Sequence, residues 1–128
     1  MTITPDANPE APARTAAVDH GLSGHHIGII RDTLAPYAEH IKRVDLFGSR
    51  ALGTYRHESD IDMVLHGSLN EKLLGRIRTL FEDSDLPFKV DVLNYALIDY
   101  PPLRARIDAD AKRLLTQADL QAGRSGLV

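Results

Sequence analysis

The 128-residue sequence predicts one α/β (α+β) domain in which a small mixed sheet is covered by helices. Short apolar runs alternate with segments of helical spacing, in the order helix, strand, short helix, strand, helix, strand, helix. Hydrophobic residues make up 43% of the chain and charged residues 26%, as in ordinary folded domains. Because Ala and Pro are frequent near the start, we expect a disordered tail at 1–20, the domain at 21–118 and a frayed tail at 119–128.

The individual elements follow from local signals. Ser23 is a suitable N-cap for a first helix, which Pro36 should end or kink. The next elements are expected as strands at 44–47, 61–65 and 88–93, a short helix at 49–54 and an amphipathic helix at 70–83. A last helix is expected at 98–117. Its buried stripe would consist of Leu103, Ile107, Ala111, Leu114 and Leu115.

Composition and charge exclude several classes of function and binding site. The formal net charge of -3 and the pI of about 6.0 argue against stable, general nucleic-acid binding. The chain has no cysteine, so disulfides and thiolate metal sites are excluded. No apolar run approaches the ~18 residues of a membrane helix, and no secretory signal precedes the domain. We expect a cytoplasmic protein with no membrane association.

Gly48-Ser49 follows the first predicted strand. Glycine permits a tight turn there, and the following amides, together with the Ser49 hydroxyl, can face an anion. Taken alone, the pair would be an ordinary turn and N-cap. Arg50 and Arg56 could contact phosphates, or each could tie this loop to a local carboxylate.

Two aspartates begin the second predicted strand. Asp60 and Asp62 flank Ile61, and alternate side chains of a strand share a face. Two carboxylates on one face repel each other unless a cation joins them, and hard oxygen ligands favour Mg²⁺. An isolated pair of this kind would more often be the charged face of an edge strand.

A third aspartate lies in the last predicted strand. Asp91 stands between the β-branched residues Val90 and Val92. A carboxylate in so apolar a strand is costly unless it is paired or bound to a metal. Read alone, it could also lie on the exposed face of an edge strand.

These residues together resemble a known family. Gly48-Ser49, ten residues, then Asp60-x-Asp62 is similar to the signature of polymerase-β-type nucleotidyltransferases. The fuller run resembles the minimal nucleotidyltransferase (MNT) class, which includes MntA-like antitoxins. That run comprises Phe47-Gly48-Ser49-Arg50-Ala51, Gly53, Thr54, Arg56 and Ser59-Asp60-Ile61-Asp62.

The resemblance implies a nucleotidyltransferase palm-like core over about 41–115, with Asp91 as a third catalytic carboxylate. Asp60, Asp62 and Asp91 would then hold Mg²⁺, as a two-metal site, and Gly48, Ser49 and Arg50 would bind the phosphates of ATP. These aspartates would be the catalytic residues.

The resemblance also implies a partner. Members of the MNT class are often paired with a HEPN ribonuclease toxin, so we expect a hetero-oligomer with such a toxin. In that complex, AMP would be transferred from ATP to a hydroxyl group of the toxin, for which a tyrosine is expected. Two alternatives remain open: transfer to a small molecule such as an aminoglycoside, and a non-catalytic antitoxin that acts by contact alone.

Overall fold

The computed structural model describes residues 19–125, which are built on one four-stranded sheet. Its strands are Ile41–Phe47 (β1), Ile61–Gly67 (β2), Val90–Asn94 (β3) and Lys112–Thr116 (β4). They lie in the order β3-β2-β1-β4. β1 is antiparallel to β2 and β4, whereas β2 is parallel to β3. The predicted mixed sheet covered by helices is therefore confirmed.

The α-helices of the described region are Gly24–Leu34 (α1), Ser49–Leu52 (α2), Glu71–Glu82 (α3), Pro101–Asp110 (α4) and Gln117–Ser125 (α5). The Ser23 hydroxyl caps α1 by accepting a hydrogen bond from the His26 amide at 3.1 Å. The helix ends at Leu34, and the chain continues as a 3₁₀ segment with Pro36 near its start. The signals predicted at both ends of α1 are thus confirmed. No helix within residues 19–125 has the length and apolar character needed to cross a bilayer.

The two faces of the sheet are covered by different helices. One face packs against α1, α3 and α5, and its fully buried residues include Ile30, Leu34, Leu46, Ile61, Met63, Leu65, Ile77 and Leu120. The other face packs against α4 through Val64, Ile98 and Ile107. Side chains alternate along a strand, so Asp62 shares the α4 face with Val64.

The predicted last helix at 98–117 is wrong in its second half. The helix α4 ends at Asp110, and Ala111 is extended, with φ -65° and ψ 145°. The chain then enters β4, which pairs with β1, so that Leu115 lies opposite Val44. The predicted stripe is split, because Ile107 is buried on one face of the sheet and Leu115 on the other. Pairing with β1 outweighs a helical spacing that is only local.

The C-terminal boundary also differs from the expectation. The stretch from 119, expected to fray, continues α5 as far as Ser125. Leu120 is fully buried, and the Gln117 side-chain amide donates to the Ala38 carbonyl at 2.8 Å. These contacts attach α5 to the body of the domain. The predicted tail at 1–20 lies, except for Asp19 and His20, outside the described residues.

Candidate active site

Asp62 and Asp91 occupy directly paired positions of the parallel strands β2 and β3. Each is the second residue of its strand. Neighbouring strands lie about 4.8 Å apart, and residues in register point to the same face. The fold therefore brings these two predicted site residues together.

The apolar neighbours of the two aspartates set this orientation. Met63 and Val92 pack into the core on the face covered by α1 and α3, so the alternating positions face the other way. The Ile61 amide donates to the Lys89 carbonyl at 2.8 Å and aligns the starts of the two strands. Register and burial together place both carboxylates at one end of the sheet.

The charges of the three aspartates interact. Burial raises the pKa of the Asp62 carboxyl, and the charges of Asp91 and Asp60 raise it further. Asp60 is exposed and lies just before β2, which begins at Ile61. Within residues 19–125, no three His, Asp or Glu side chains converge closely enough to enclose a metal ion.

The residue types nevertheless fit a divalent cation. Asp60, Asp62 and Asp91 offer hard oxygen ligands, the type that Mg²⁺ prefers. Burial, and then the charges of Asp91 and Asp60, raise the pKa of Asp62, and a bound cation would offset both effects. The chemical type of these three side chains thus suits Mg²⁺.

Gly48-Ser49 lies beside Asp62. Phe47, which precedes Gly48, is paired with Asp62 across β1 and β2. The Gly48 carbonyl accepts hydrogen bonds from the Ala51 and Leu52 amides at 3.1 Å each and so closes the single turn of α2. Ser49 is the first residue of that turn. The predicted cradle and the carboxylates therefore adjoin one another.

Arg50 does not occupy a phosphate-binding position. It is 1% exposed, and its Nη1 and Nη2 atoms donate to the carbonyls of His20 and Ser59, at 2.8 and 2.9 Å. The guanidinium lies against the rings of Tyr55 and Phe88, 5.1 and 4.6 Å from their centroids. Burial lowers the pKa of Arg50. The sequence left two roles open for Arg50, a phosphate contact or a bond from this loop to a local carboxylate. The structure agrees better with the second, although the groups that accept from Arg50 are carbonyls and not a carboxylate.

Sequence reasoning missed Asp45, a third aspartate on the sheet beside Asp62 and Asp91. Asp45 lies within β1 and is buried, and its Oδ2 atom accepts from Arg43 Nε at 3.2 Å and lies 3.1 Å from His66 Nε2. Its Oδ1 atom has no partner among the described residues. The signal was present, since Asp45 interrupts an apolar run between Val44 and Leu46. Because Asp45 is already paired, it is not a further member of the Asp62–Asp91 site.

Comparison with known proteins identifies the family. The family described as "Polymerase beta, Nucleotidyltransferase" matches residues 30–120. A comparison with curated proteins gave no match.

Solved structures share the fold. A structure described as a toxin–antitoxin with AMP-PNP matches with a TM-score of 0.58 at 20% identity, covering 78% of this chain and 82% of that chain. Two mutants of the toxin–antitoxin MntA-HpeT match with TM-scores of 0.55 and 0.56 at 18% and 20% identity. These cover 76% and 77% of this chain and 79% and 81% of the matched chains.

The family match spans the sheet and most of the helices, including every predicted site residue. The resemblance to polymerase-β-type nucleotidyltransferases is therefore confirmed. With the signature residues gathered at one end of its mixed sheet, this chain belongs to the polymerase beta nucleotidyltransferase family.

Proposed function

We propose that the chain is an MNT-type antitoxin of the cytoplasm that transfers AMP from ATP to a tyrosine hydroxyl of a HEPN ribonuclease toxin. The observation that carries the proposal is the paired position of Asp62 and Asp91 beside Gly48. Two carboxylates next to a turn that begins with glycine suit a reaction in which a polyphosphate must approach the protein backbone closely.

Each site residue has a distinct part in this proposal. Gly48 has no side chain to meet Asp62, so that the phosphates can approach its backbone, and Ser49 donates its hydroxyl to a phosphate oxygen. Asp60, Asp62 and Asp91 would hold Mg²⁺. A divalent ion, when bound, would neutralise part of the charge on the triphosphate and on the carboxylates.

The reaction itself is a displacement at phosphorus. The acceptor oxygen forms a bond to the α-phosphorus, and the bond from that phosphorus to the oxygen bridging to the β-phosphate breaks. Pyrophosphate leaves with the electron pair of that bond. The proton of the acceptor hydroxyl passes to Asp91, which acts as general base. No covalent intermediate with the protein is needed.

A protein acceptor is supported by the surface next to Asp91. A cavity of about 210 Å³ lies beside β3 and is lined partly by Leu93, Leu97 and Tyr100. Leu93 is two residues from Asp91, or about 7 Å along the strand. Leu97 is 42% exposed and Tyr100 63% exposed, and exposed apolar groups of this kind are common where proteins bind each other.

The similar structures support the same class of partner. One is described as a toxin–antitoxin with AMP-PNP, an analogue of ATP, and two as the toxin–antitoxin MntA-HpeT. By analogy with those structures, we infer that this chain also binds a toxin and an adenine nucleotide.

The test first asks whether an adjacent reading frame encodes a small helical HEPN-type protein, and then combines that protein with the chain, ATP and Mg²⁺. Mass spectrometry of that protein should reveal the addition of one or more AMP groups. The double variant Asp60→Asn, Asp62→Asn is the control and should leave the partner unmodified. A partner that is neutralised but never gains mass would replace the enzyme with an antitoxin acting by contact alone.

A further inference from the structure

Arg50 lies at the junction of the chain segments that carry the candidate site. It belongs to α2, directly after the Gly48-Ser49 turn. Its Nη2 atom donates to the Ser59 carbonyl, one residue before Asp60. Its guanidinium also contacts Phe88, three residues before Asp91. One side chain therefore connects the turn with the approaches to both aspartate-bearing strands.

The backbone around Asp60 is fixed on both sides. The preceding carbonyl, that of Ser59, accepts from Arg50 at 2.9 Å. The following amide, that of Ile61, donates to the Lys89 carbonyl at 2.8 Å. Asp60 itself is exposed and precedes the strand, so the strand pairing alone does not fix it. On its N-terminal side, two bonds close the local turn, from the Ser59 amide to the Arg56 carbonyl and from the Arg56 amide to the Ser59 hydroxyl. The bond from Arg50 attaches that turn to α2.

The segment before α1 closes the other side of the guanidinium. Arg50 Nη1 donates to the His20 carbonyl at 2.8 Å, and the Tyr55 hydroxyl donates to Asp19 at 2.7 Å. A Cβ atom on Gly21 would overlap the Tyr55 ring and lie 2.8 Å from Arg50 Nη1. The absence of a side chain at Gly21 thus allows this segment to pack directly on Arg50.

This arrangement is costly for stability alone. A buried guanidinium loses its hydration, and among residues 19–125 its neighbours are carbonyls and aromatic rings, with no carboxylate bound to it. Its Nε atom is also buried without a partner among the described residues. An apolar side chain would avoid that desolvation but would leave the His20 and Ser59 carbonyls without this donor. The planar fork of arginine, however, can bind two carbonyls in fixed directions at once.

We propose that Arg50 is a positioning residue, which holds the backbone before Asp60 in place relative to the Gly48-Ser49 turn. The inference rests on the proposed function for its catalytic consequence, but its structural part concerns the 55–61 segment alone. Arg50 acts through Asp60 and makes no contact with the nucleotide.

The structural test is amide hydrogen exchange in the full chain. Arg50→Lys retains a positive charge but cannot bind both carbonyls in the same fork, so exchange across 55–61 should become faster. Arg76→Lys, on the exposed side of α3, is the matched control and should leave that exchange unchanged. Unchanged exchange in a folded Arg50→Lys protein would overturn the proposal. If Arg50→Lys does not fold, Phe88→Leu removes one ring from the guanidinium and should raise the same exchange more weakly.

The functional test is a double-mutant cycle. Arg50→Lys should slow AMP transfer by about ten- to a hundredfold in the native background, as for loss of a hydrogen bond to a charged group. In the Asp60→Asn background the same substitution should change the residual rate by less than about threefold, because the carboxylate that Arg50 positions is absent. Equal losses in both backgrounds would indicate a purely structural residue and overturn the proposal.

The two proposals can fail separately. A native chain that transfers no AMP, but whose 55–61 segment exchanges faster after Arg50→Lys, would refute the proposed function and leave the positioning role intact. A native chain that does transfer AMP, with an Arg50→Lys variant of native rate and exchange, would refute only the positioning role.

Discussion

A Cβ atom placed on Gly48 would lie 2.6 Å from Oδ2 of Asp62, closer than real side chains approach. The backbone of Gly48 has φ 73° and ψ -153°, a conformation nearly restricted to glycine. Both the space and the backbone therefore require glycine at this position. The contact also shows how little room separates the Gly48-Ser49 turn from the carboxylate.

Gly48→Ala should weaken Mg·ATP binding by about tenfold or more, because the new methyl group would displace the Asp62 carboxylate. Gly53→Ala is the control at the other end of α2. Gly53 also has a positive φ, 80°, but a Cβ there would have nothing within 4 Å. We expect it to cost about 1 kcal/mol of stability and leave nucleotide affinity unchanged.

Calorimetric titration of both variants, well below their melting temperatures, distinguishes the two effects. If Gly48→Ala folded and bound Mg·ATP as tightly as Gly53→Ala, the phosphates would have to bind away from this turn.

The repulsion at Asp62 predicts a pH-dependent gain in stability. Its pKa is raised in the folded state by burial and by Asp91 and Asp60, so the folded protein binds this proton more tightly than the unfolded chain. Stability contributed at Asp62 is therefore greatest at low pH and is lost as the pH rises through the raised pKa. Asp62→Asn removes that loss.

In the metal-free protein, Asp62→Asn should thus raise the free energy of unfolding at about pH 7 and do so less at about pH 4, close to the ordinary aspartate pKa. Urea unfolding at both pH values measures this difference. Asp85→Asn, in the exposed turn after α3, is the control and should yield no such pH-dependent gain. A gain from Asp62→Asn that is equal at both pH values would contradict the prediction.

The direction in which the aspartates of the candidate site point could be predicted from the sequence, because it follows from the alternation of side chains along a strand. Asp62 and Asp91 alternate with apolar neighbours, so burial of Met63 and Val92 determines where the carboxylates point. Gly48 lies next to Asp62 because Phe47, the residue before it, pairs with Asp62 across β1 and β2. The pairing of Asp62 with Asp91 joins segments that are distant in sequence, and only the family resemblance indicated it beforehand.

The position of Arg50 could not be predicted in the same way. Its neighbours in sequence suggest a phosphate ligand, but its actual partners are His20, Ser59 and Phe88, which come from other segments. The strand β4 escaped prediction for a related reason. Leu114 and Leu115 continue a helical spacing, and only the free edge of β1 makes an extended conformation favourable.

The helix α5 should contribute to the stability of the domain, contrary to the frayed tail expected from 119 onward. Leu120 is fully buried, so Leu120→Ala should lower the free energy of unfolding by about 2–4 kcal/mol through lost packing and a residual cavity. Gln121→Ala, at the next and exposed position, should change it by less than about 0.5 kcal/mol. Urea denaturation of the two variants provides the comparison. Equal, negligible effects would mean that α5 is not docked in solution.

Asp91→Asn should separate nucleotide binding from chemistry. Asp60 and Asp62 would hold the Mg²⁺ of the triphosphate whether or not an acceptor is present. Asp91, on the neighbouring strand, would serve the second metal near the attacking hydroxyl and receive the proton of that hydroxyl. Its contribution should therefore appear in the transition state. The asparagine variant retains the shape of the side chain but not its charge. We expect near-native Mg·ATP affinity and transfer slowed by roughly a thousandfold, which corresponds to about 4 kcal/mol.

Three measurements on one preparation check this expectation: ATP affinity, the mass of the partner protein, and rescue of growth in cells that express the partner. Asp60→Asn with Asp62→Asn is the comparison, since it should lose nucleotide binding as well as transfer. If modification neutralises the partner, Asp91→Asn should fail to rescue growth even where the two proteins still associate. A folded Asp91→Asn protein that rescues growth while its partner stays unmodified would mean that contact, and not AMP transfer, silences the toxin.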